Sequence, residues 1–181
     1  MKPRSYSSEG IVLSRKNYSE ADRILIIYSK YHGKTSLLAK GVRKPKSKKR
    51  GSLEIFSHIK FSAVKGKGID LITESELIDS FSGVRQDLRK VSLAYYFMEV
   101  VARLTRDEEK NDELFNLIIE YLNRLRLDVN LRTLRQDFIY QILTLLGFWP
   151  RGKILENPDE ILESITERKI NSVRVGKKVL S

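Results

Sequence analysis

The spacing of apolar residues changes once along this chain, and that change constrains the fold more than any other feature of the sequence. Up to Phe81 the chain carries short runs rich in Ile, Val, Leu and Tyr, and polar and apolar residues alternate from Ile72 to Glu76. A period of two residues indicates β-strands, whereas the spacing after Phe81 is helical. The sequence therefore predicts a β-domain over residues 1–82 and an all-α domain over residues 83–181, with the boundary near Ser80 to Val84.

The first half contains five strand-like segments, which are separated by turn signals. The segments are EGIVLSRKNY, DRILIIYSKY, HGKTSLLAKGV, LEIFSHIKFSAV and IDLITESELIDSF. The turn signals are NYSEAD, YHG, KGKG and a run of basic residues. Five short strands in about 80 residues are typical of a small β-barrel.

The second half carries local signals for several helices. An apolar stripe predicts a helix from Val84 to Arg106, and it comprises Leu88, Val91, Tyr95, Met98 and Ala102. Asn111 and Asn130 are suited to cap the next two helices, and Gly147 marks the end of the second of these. Asn157-Pro158-Asp159-Glu160 begins a last helix, which we expect to fray or break near Gly176.

Positive charge is concentrated in the first half of the chain. The net charge is +11, and residues 1–82 hold 17 Lys and Arg against 8 Asp and Glu, whereas residues 83–181 hold 17 against 15. Seven cations and no acid lie between Lys40 and Arg50. Charge that serves solubility alone has no reason to cluster, so this one-sided field favours polyanionic partners.

Other features of composition narrow the class of protein. No apolar run approaches the roughly 20 residues that a bilayer span needs, and no apolar stretch follows the basic N-terminus as in a secretory signal. Cys is absent, which rules out disulfides and Cys-ligated zinc in these residues. These features predict a cytoplasmic protein with no membrane partner, no cofactor and no metal site.

The segment HGKTS, residues 32–36, ends like a phosphate-binding P-loop but does not satisfy that motif. Tyr28 stands where the P-loop needs Gly, and the segment joins two strands and not a strand and a helix. We therefore predict a turn between strands that Gly33 closes.

The sequence gives little support for catalysis. His32 and His58 lack the local spacing of a metal-ligand pair. Glu74 and Glu76 share one strand face, with Asp79 following, and such acids more often form a solvated face than a two-metal site. We expect a protein that is not an enzyme.

Nucleic-acid binding by a barrel needs cations along the phosphates and aromatic rings beneath the bases. The predicted phosphate contacts are Arg15, Lys16, Arg23, Lys34, Lys40, Arg43, Lys44, Lys46, Lys48, Lys49, Arg50, Lys65 and Lys67. Arg23 has an alternative structural role as the partner of Asp22 or Glu20. The segment PKSKKR, residues 45–50, is expected to be mobile until a nucleic acid orders it.

Aromatic residues occur in both halves with different expected roles. Tyr18 and Tyr31, in or beside turns, are the candidates for base stacking, whereas the core is the commoner place for the other aromatics. Those others are Tyr6, Tyr28, Phe56 and Phe61. In the second half, Phe148 and Trp149 either plug the end of the helical bundle, which we favour, or line a peptide groove.

A series of motifs gives the chain a family resemblance. They are YSEADR (18–23), HGK (32–34), AKGVRK (39–44), GSLEIFS (51–57), ITESELIDSF (72–81), NDELFNL (111–117), FIYQILTLLGF (138–148) and, more weakly, RKINSVRVGKKVL (168–180). In this order and spacing they resemble the RecO family of bacterial recombination mediators over residues 5–148.

The resemblance implies an OB-fold barrel followed by a helical domain. It also implies binding of single- and double-stranded DNA, annealing of complementary strands, and partnership with RecR and with the acidic C-terminal tail of the single-stranded-DNA-binding protein. The outcome would be loading of RecA onto coated strands during DNA repair.

The chain departs from the family pattern in two ways. Many relatives carry a four-Cys zinc module after the LGF helix, and this chain has no Cys, as in a short variant. The family binds the acidic tail with basic residues beside the helix of Phe138, but Gln136 and Asp137 stand directly before that Phe. Arg132 and Arg135 are the remaining candidates for this contact.

Two further functions fit the charge pattern. An RNA-binding OB-fold protein of the translation apparatus also needs to neutralise phosphates. A basic adaptor whose loop meets an acidic protein would bind peptide in a salt-dependent manner and would not bind oligonucleotide.

Overall fold

The computed structural model describes residues 4–127 and 129–166. Its first part is a closed barrel of five strands, which confirms the predicted OB-fold barrel followed by helices. The strands are β1 (Ser5–Asn17), β2 (Arg23–Ser29), β3 (Gly33–Ala39), β4 (His58–Val64) and β5 (Asp70–Asp79). They follow the order β1-β2-β3-β5-β4, and every neighbouring pair is antiparallel except β3 and β5.

The long strand β1 serves two partners, and Gly10 lies where they meet. Gly10 is opposite both Ser29 of β2 and Ile59 of β4. A Cβ atom at Gly10 would lie 2.5 Å from Ile27 Cγ2, so the packing leaves no room for a side chain. The barrel core comprises Val12, Leu25, Ile27, Leu37, Ala39, Val42, Leu53, Ile59, Phe61, Ala63 and Ile72.

The connection between β3 and β4 is a compact part of the barrel. Residues 41–52 form successive turns, and Val42 and Leu53 are fully buried. β3 forms ladder pairs with β5 at only two positions, Leu37 and Leu38, so most of this β5 edge needs another hydrogen-bond partner. Lys49 Nζ donates to the Ile72 carbonyl at 3.2 Å on this strand. The segment PKSKKR, residues 45–50, thus lies in turns, and Lys49 attaches it to the barrel, while its mobility before nucleic-acid binding stays a prediction.

A segment from the helical half returns to the barrel. The chain divides into two compact units, and Thr105–Asp112 belongs to the unit that contains the strands. Lys34 Nζ donates to the Thr105 carbonyl at 2.6 Å, and the Glu108 N–H donates to the Lys34 carbonyl at 2.9 Å. Gly33 begins β3 directly after the turn, as predicted, which leaves no P-loop at this position.

The helices begin and end close to the predicted signals. They are α1 (Ser82–Arg85), α2 (Leu88–Leu104), α3 (Asp112–Leu127), α4 (Leu131–Leu145) and α5 (Pro158–Thr166). The Asn130 side chain accepts the Thr133 N–H at 3.1 Å and so caps α4, and Gly147 follows with a φ of 77°. The predicted end near Gly176 and the motif at residues 168–180 lie outside the described residues.

The predicted apolar stripe of α2 is wrong in part, although its member Met98 is buried. Leu88 is 72% exposed and Tyr95 is 39% exposed, while Ala94, Phe97 and Val101 are buried. The helix carries apolar residues around most of its circumference, so sequence spacing alone did not select the buried face. Phe97 stacks within 4.0 Å of the Phe138 ring centroid, and this contact fixes the face that points inward.

The end of α4 also differs from expectation. Phe148 is 44% exposed and does not plug the bundle. The backbone N–H groups of Phe148 and Trp149 both donate to the Leu143 carbonyl, which folds the chain back after α4. No helix within the described ranges is long and apolar enough to cross a membrane.

Candidate nucleic-acid interface

Two loops meet at one end of the barrel and bring most of the predicted cations together. The Gly41 N–H donates to Asp22 Oδ1 at 2.7 Å, and the Arg43 N–H donates to the Ala21 carbonyl at 2.9 Å. These bonds join the β1–β2 turn to the start of the β3–β4 connection. We call this region the cationic end; it comprises Arg15, Lys16, Tyr18, Arg23, Lys40, Arg43, Lys44, Lys46, Lys48, Lys49 and Arg50.

Exposure varies among the cations of this end. Lys16, Lys40, Lys44, Lys46 and Lys48 are exposed. Arg43 and Arg50 are exposed as well, although Arg43 Nη1 donates to the Ser19 carbonyl at 2.9 Å. Lys49 differs, because its ammonium is already bound to the β5 edge. A nucleic-acid strand across this end would therefore contact the exposed lysines of the β3–β4 connection before it reached Lys49.

Arg15 and Arg23 lie where the interior of the barrel opens at the cationic end. We call this opening the barrel mouth. Arg15 is opposite Leu25 and Arg23 is opposite Ala39, and both of these partners are fully buried. Residues that face each other across a ladder share one face of the sheet, so the two arginines extend the inward-facing rows. Their side chains are 29% and 15% exposed.

Glu54 is the counter-ion of both arginines. Its carboxylate accepts a hydrogen bond from Arg15 Nη1 and lies 3.6 Å from Arg23 Nη1. The sequence-based alternative paired Arg23 with Asp22 or Glu20, and it named the wrong acid. Asp22 instead accepts the Gly41 N–H, and Glu54 arrives from the far end of the β3–β4 connection.

The environment of Arg23 is strongly electropositive. Burial lowers the pKa of Arg23, and the charges of Arg15, Arg43 and Arg50 act in the same direction, against Glu54. The guanidinium stays protonated because its ordinary pKa is so high. Arg23 Nη1 is buried and makes no hydrogen bond with any described part of the chain. These charges favour an anion at the barrel mouth.

The remaining predicted contacts lie at the opposite end of the barrel. Lys34 is engaged by Thr105 and by Asp107, whose Oδ1 is 3.3 Å from Nζ, so this lysine has a structural role. Lys65 pairs with Asp70 at 2.9 Å and lies over the Tyr6 ring. Lys67 is exposed in the β4–β5 turn. The structure thus separates Lys34, Lys65 and Lys67 from the cationic end.

Among the described residues of the barrel, the exposed tyrosines are the two that the sequence singled out for stacking. Tyr18 is 65% exposed at the cationic end, and Tyr31 is 53% exposed in the β2–β3 turn. Tyr28, Phe56 and Phe61 are buried, in agreement with the core expectation. Lys30, which sequence reasoning missed, lies 5.7 Å from the Tyr31 ring centroid.

Glu76 and His58, two of the residues considered for catalysis, have ordinary partners. Glu76 is opposite Lys60, and both are exposed on the barrel surface. His58 Nε2 lies 3.2 Å from Glu9 Oε2, and burial lowers the pKa of His58. Within the described ranges, three or more His, Asp or Glu residues do not gather at any point that suits a metal ion.

In the helical unit, the two candidates for tail binding differ in availability. Arg132 is exposed on α4. Arg135 forms an ion pair with Asp159 of α5, and its guanidinium lies 4.6 Å from the Tyr96 ring centroid. An acidic peptide would have to displace Asp159 before it could reach Arg135.

Comparison with known families matches both halves of the chain. The family model described as Recombination protein O N terminal matches residues 1–81, and the one described as Recombination protein O C terminal matches residues 85–153. Together they cover most of the sequence, in the same order as the barrel and the helices.

Individual relatives agree with the family models. The chain is 34% identical over 145 residues to the DNA repair protein RecO of Pelotomaculum thermopropionicum, covering 80% of this chain and 56% of the relative. It is 32% identical over 165 residues to the DNA repair protein RecO of Dehalococcoides mccartyi, and this match covers 91% of this chain and 65% of the relative. The chain therefore spans a little over half the length of the first of these relatives. On these matches and this fold, the chain belongs to the RecO family.

Proposed function

We propose that the protein binds DNA through the cationic end of its barrel and acts as a non-enzymatic mediator in DNA repair and recombination. One observation carries this proposal, namely that the β1–β2 turn, which carries the exposed ring of Tyr18, is joined to the basic β3–β4 connection. Cations follow phosphates and an exposed ring accepts a stacked base, which is how barrels of this kind hold single strands. The names of the matched relatives support DNA and repair as the setting.

The cationic end would promote annealing through charge. Cations that neutralise phosphates on two strands at once lower the repulsion between them, while base pairing supplies the specificity. No cofactor is needed for this step. In the full proposal, the protein works in the cytoplasm with RecR and with the acidic tail of the single-stranded-DNA-binding protein, and it helps to load RecA onto coated strands.

The salt dependence of oligonucleotide binding tests the DNA grip. If the cationic end contacts about five to seven phosphates of one strand, log K falls against log salt with a slope of about −3.5 to −5. Replacement of Lys46 and Lys48 by Ala flattens the slope by about 1.4, because two phosphate contacts are lost. An unchanged slope in this variant would exclude the β3–β4 connection as the grip.

Competition between matched DNA and RNA strands tests the class of nucleic acid. Both polymers share the phosphate contribution to binding, so the competition is run at one salt concentration. We expect DNA to displace RNA at equal concentration, since the matched relatives are DNA repair proteins. Preferential retention of RNA would favour the RNA-binding alternative. Binding of an acidic peptide without any binding of oligonucleotide would favour the adaptor.

Annealing of coated strands tests the mediator role. Complementary oligonucleotides are coated with the single-stranded-DNA-binding protein, either intact or without its acidic tail. We expect faster annealing with the intact coat and a loss of that advantage in Arg132→Ala, since Arg132 is the exposed candidate on α4. Activity on bare strands together with inactivity on coated strands would leave a DNA binder that is not a mediator.

A further inference from the structure

The arginine cluster at the barrel mouth holds more positive charge than Glu54, its carboxylate partner among the described residues, balances. The cluster comprises Arg15, Arg23, Arg43 and Arg50, and all three other arginines lower the pKa of Arg23 through their charges. Glu54 is the acid that opposes them at Arg23. Like charges at such a site repel one another unless a further anion lies between them.

Arg23 offers a hydrogen-bond donor that the described part of the protein does not use. Its Nη1 is buried, makes no hydrogen bond within the described chain, and lies 3.6 Å from the nearest Glu54 oxygen, beyond a good hydrogen bond. A buried donor without an acceptor is costly, and native proteins rarely keep one unless an unseen partner satisfies it. The Glu54 carboxylate engages Arg15 and leaves this Arg23 donor unsatisfied.

The Glu54 side chain is able to leave while its backbone stays in place. Leu53 is fully buried in the barrel core, and the Glu54 carbonyl accepts the Ser57 N–H at 3.1 Å. The Glu54 side chain itself is 33% exposed, so rotation takes the carboxylate into solvent without moving the chain. An exchange of anions at the barrel mouth therefore requires no refolding.

A phosphodiester presents the same chemistry to arginines as a carboxylate. Both carry one negative charge on two oxygens that a guanidinium can bind in a bidentate manner. We propose that Glu54 stands in for a strand phosphate at the barrel mouth, and that a backbone phosphate of bound nucleic acid displaces it between Arg15 and Arg23. This inference rests on the proposed function and adds to it a specific phosphate site and an internal competitor that weakens binding.

Removal of the competitor tests the exchange. Glu54→Gln frees Arg15 and Arg23, and we expect it to bind an oligonucleotide about two- to fivefold more tightly than Glu76→Gln does. Glu76→Gln is the matched control, because it removes one exposed carboxylate from the same barrel and so corrects for net charge. Equal or weaker binding by Glu54→Gln would overturn the inference, because Glu54 would then have a purely structural role.

A second variant covers the possibility that Glu54→Gln does not fold. Arg23→Gln removes the unsatisfied donor, and we expect it to lose at least fivefold more affinity than Lys60→Gln, which removes an exposed cation of β4. Equal losses in these two variants would overturn the inference while leaving the proposed function intact. Failure of the unaltered chain to bind any oligonucleotide would instead reject the proposed function, and the inference with it.

A measurement with inorganic phosphate distinguishes a site for the nucleic-acid backbone from a site for free phosphate. The melting temperature of the unaltered chain is compared in phosphate and in chloride at equal ionic strength, and the measurement is repeated for Glu54→Gln. We expect phosphate to stabilise Glu54→Gln more than the unaltered chain, since the site is then open. Stabilisation by phosphate without any gain in oligonucleotide affinity would indicate a site for free phosphate and would overturn the inference.

Discussion

Gly33 follows the turn between β2 and β3 in a conformation that other residues avoid. Its φ is 66°, and a Cβ atom there would lie 2.3 Å from the Glu109 carbonyl oxygen. Both the backbone conformation and the close approach of Glu109 therefore require glycine. The glycine in the HGK motif thus serves to seat the returning segment Thr105–Asp112 and not to hold a nucleotide.

Replacement of Gly33 tests this packing. We expect Gly33→Ala to lower the free energy of unfolding by about 1–3 kcal/mol or more, because a positive φ and a steric clash combine. Urea unfolding followed by circular dichroism measures the change. Gly68→Ala is the control, because a Cβ atom there meets nothing within 4 Å. Equal stability of the two variants would contradict this role for Gly33.

The two histidines give the protein a pH dependence in the weakly acidic range. Burial lowers the pKa of His32 and of His58 below the ordinary 6.5, although Glu9 opposes this at His58. Between the folded pKa and 6.5 the unfolded chain binds more protons, so stability is full above about pH 6.5 and falls as the pH decreases from there. Asp70 and Asp137 titrate at lower pH than the histidines, because their pKa values lie below the usual 3.8.

The urea concentration at the midpoint of unfolding, determined at about pH 7.5 and about pH 5, measures this histidine contribution to stability. We expect the midpoint to be lower at the acidic pH. The double variant His32→Asn with His58→Asn should show a smaller fall over the same interval. A fall as large in the double variant would assign the effect to other groups.

At the scale of elements, the β3–β4 connection combines a structural part with a binding part. Val42 and Leu53 are core residues, and Lys49 and Ser52 contact β5 through Ile72 and Ser75. The exposed lysines lie between these anchors. Charge that is held in a defined place loses less entropy on binding than charge on a free arm.

Replacement of Leu53 tests whether the connection belongs to the core. We expect Leu53→Ala to destabilise the fold by about 2–5 kcal/mol, as for other buried leucines. Lys48→Ala, five residues earlier in the connection and exposed, should change stability by less than about 0.5 kcal/mol. Thermal or urea unfolding measures both variants. A neutral Leu53→Ala would indicate that the connection is detached from the barrel.

At the scale of the whole molecule, the placement of charge matters more than its amount. The net charge of +11 comes almost entirely from the first half of the sequence. The fold divides these cations further, because some meet at the cationic end while Lys34 and Lys65 are paired with acids elsewhere.

A pair of charge-matched variants tests this placement. Replacement of Arg132 and Lys153 by Ala in the helical unit removes the same net charge as replacement of Lys46 and Lys48. We expect it to leave the salt slope for bare oligonucleotides unchanged, because neither residue belongs to the cationic end that is proposed to contact the phosphates. Oligonucleotide titration at several salt concentrations measures the slopes. Equal flattening by both pairs would indicate a diffuse charge effect.

The sequence by itself determined the kinds of elements, their order and many of their ends. The five strands carry a local alternation of residues, and the cap at Asn130, the helix start at Pro158 and the stop at Gly147 depend on interactions within a few residues, so local patterns are sufficient to predict them. The basic run and the exposure of Tyr18 and Tyr31 beside turns were visible for the same reason.

Only the tertiary structure decided which charges are available. Glu54 reaches Arg15 across 39 residues of sequence, and Lys34 reaches Thr105 across 71, so no local pattern reveals either pair. The buried face of α2 was likewise chosen by Phe138 and not by spacing. The burial and ion pairing of a side chain depend on which elements pack together. The strand order of the barrel decides this packing, because it brings segments that are distant in sequence to one end.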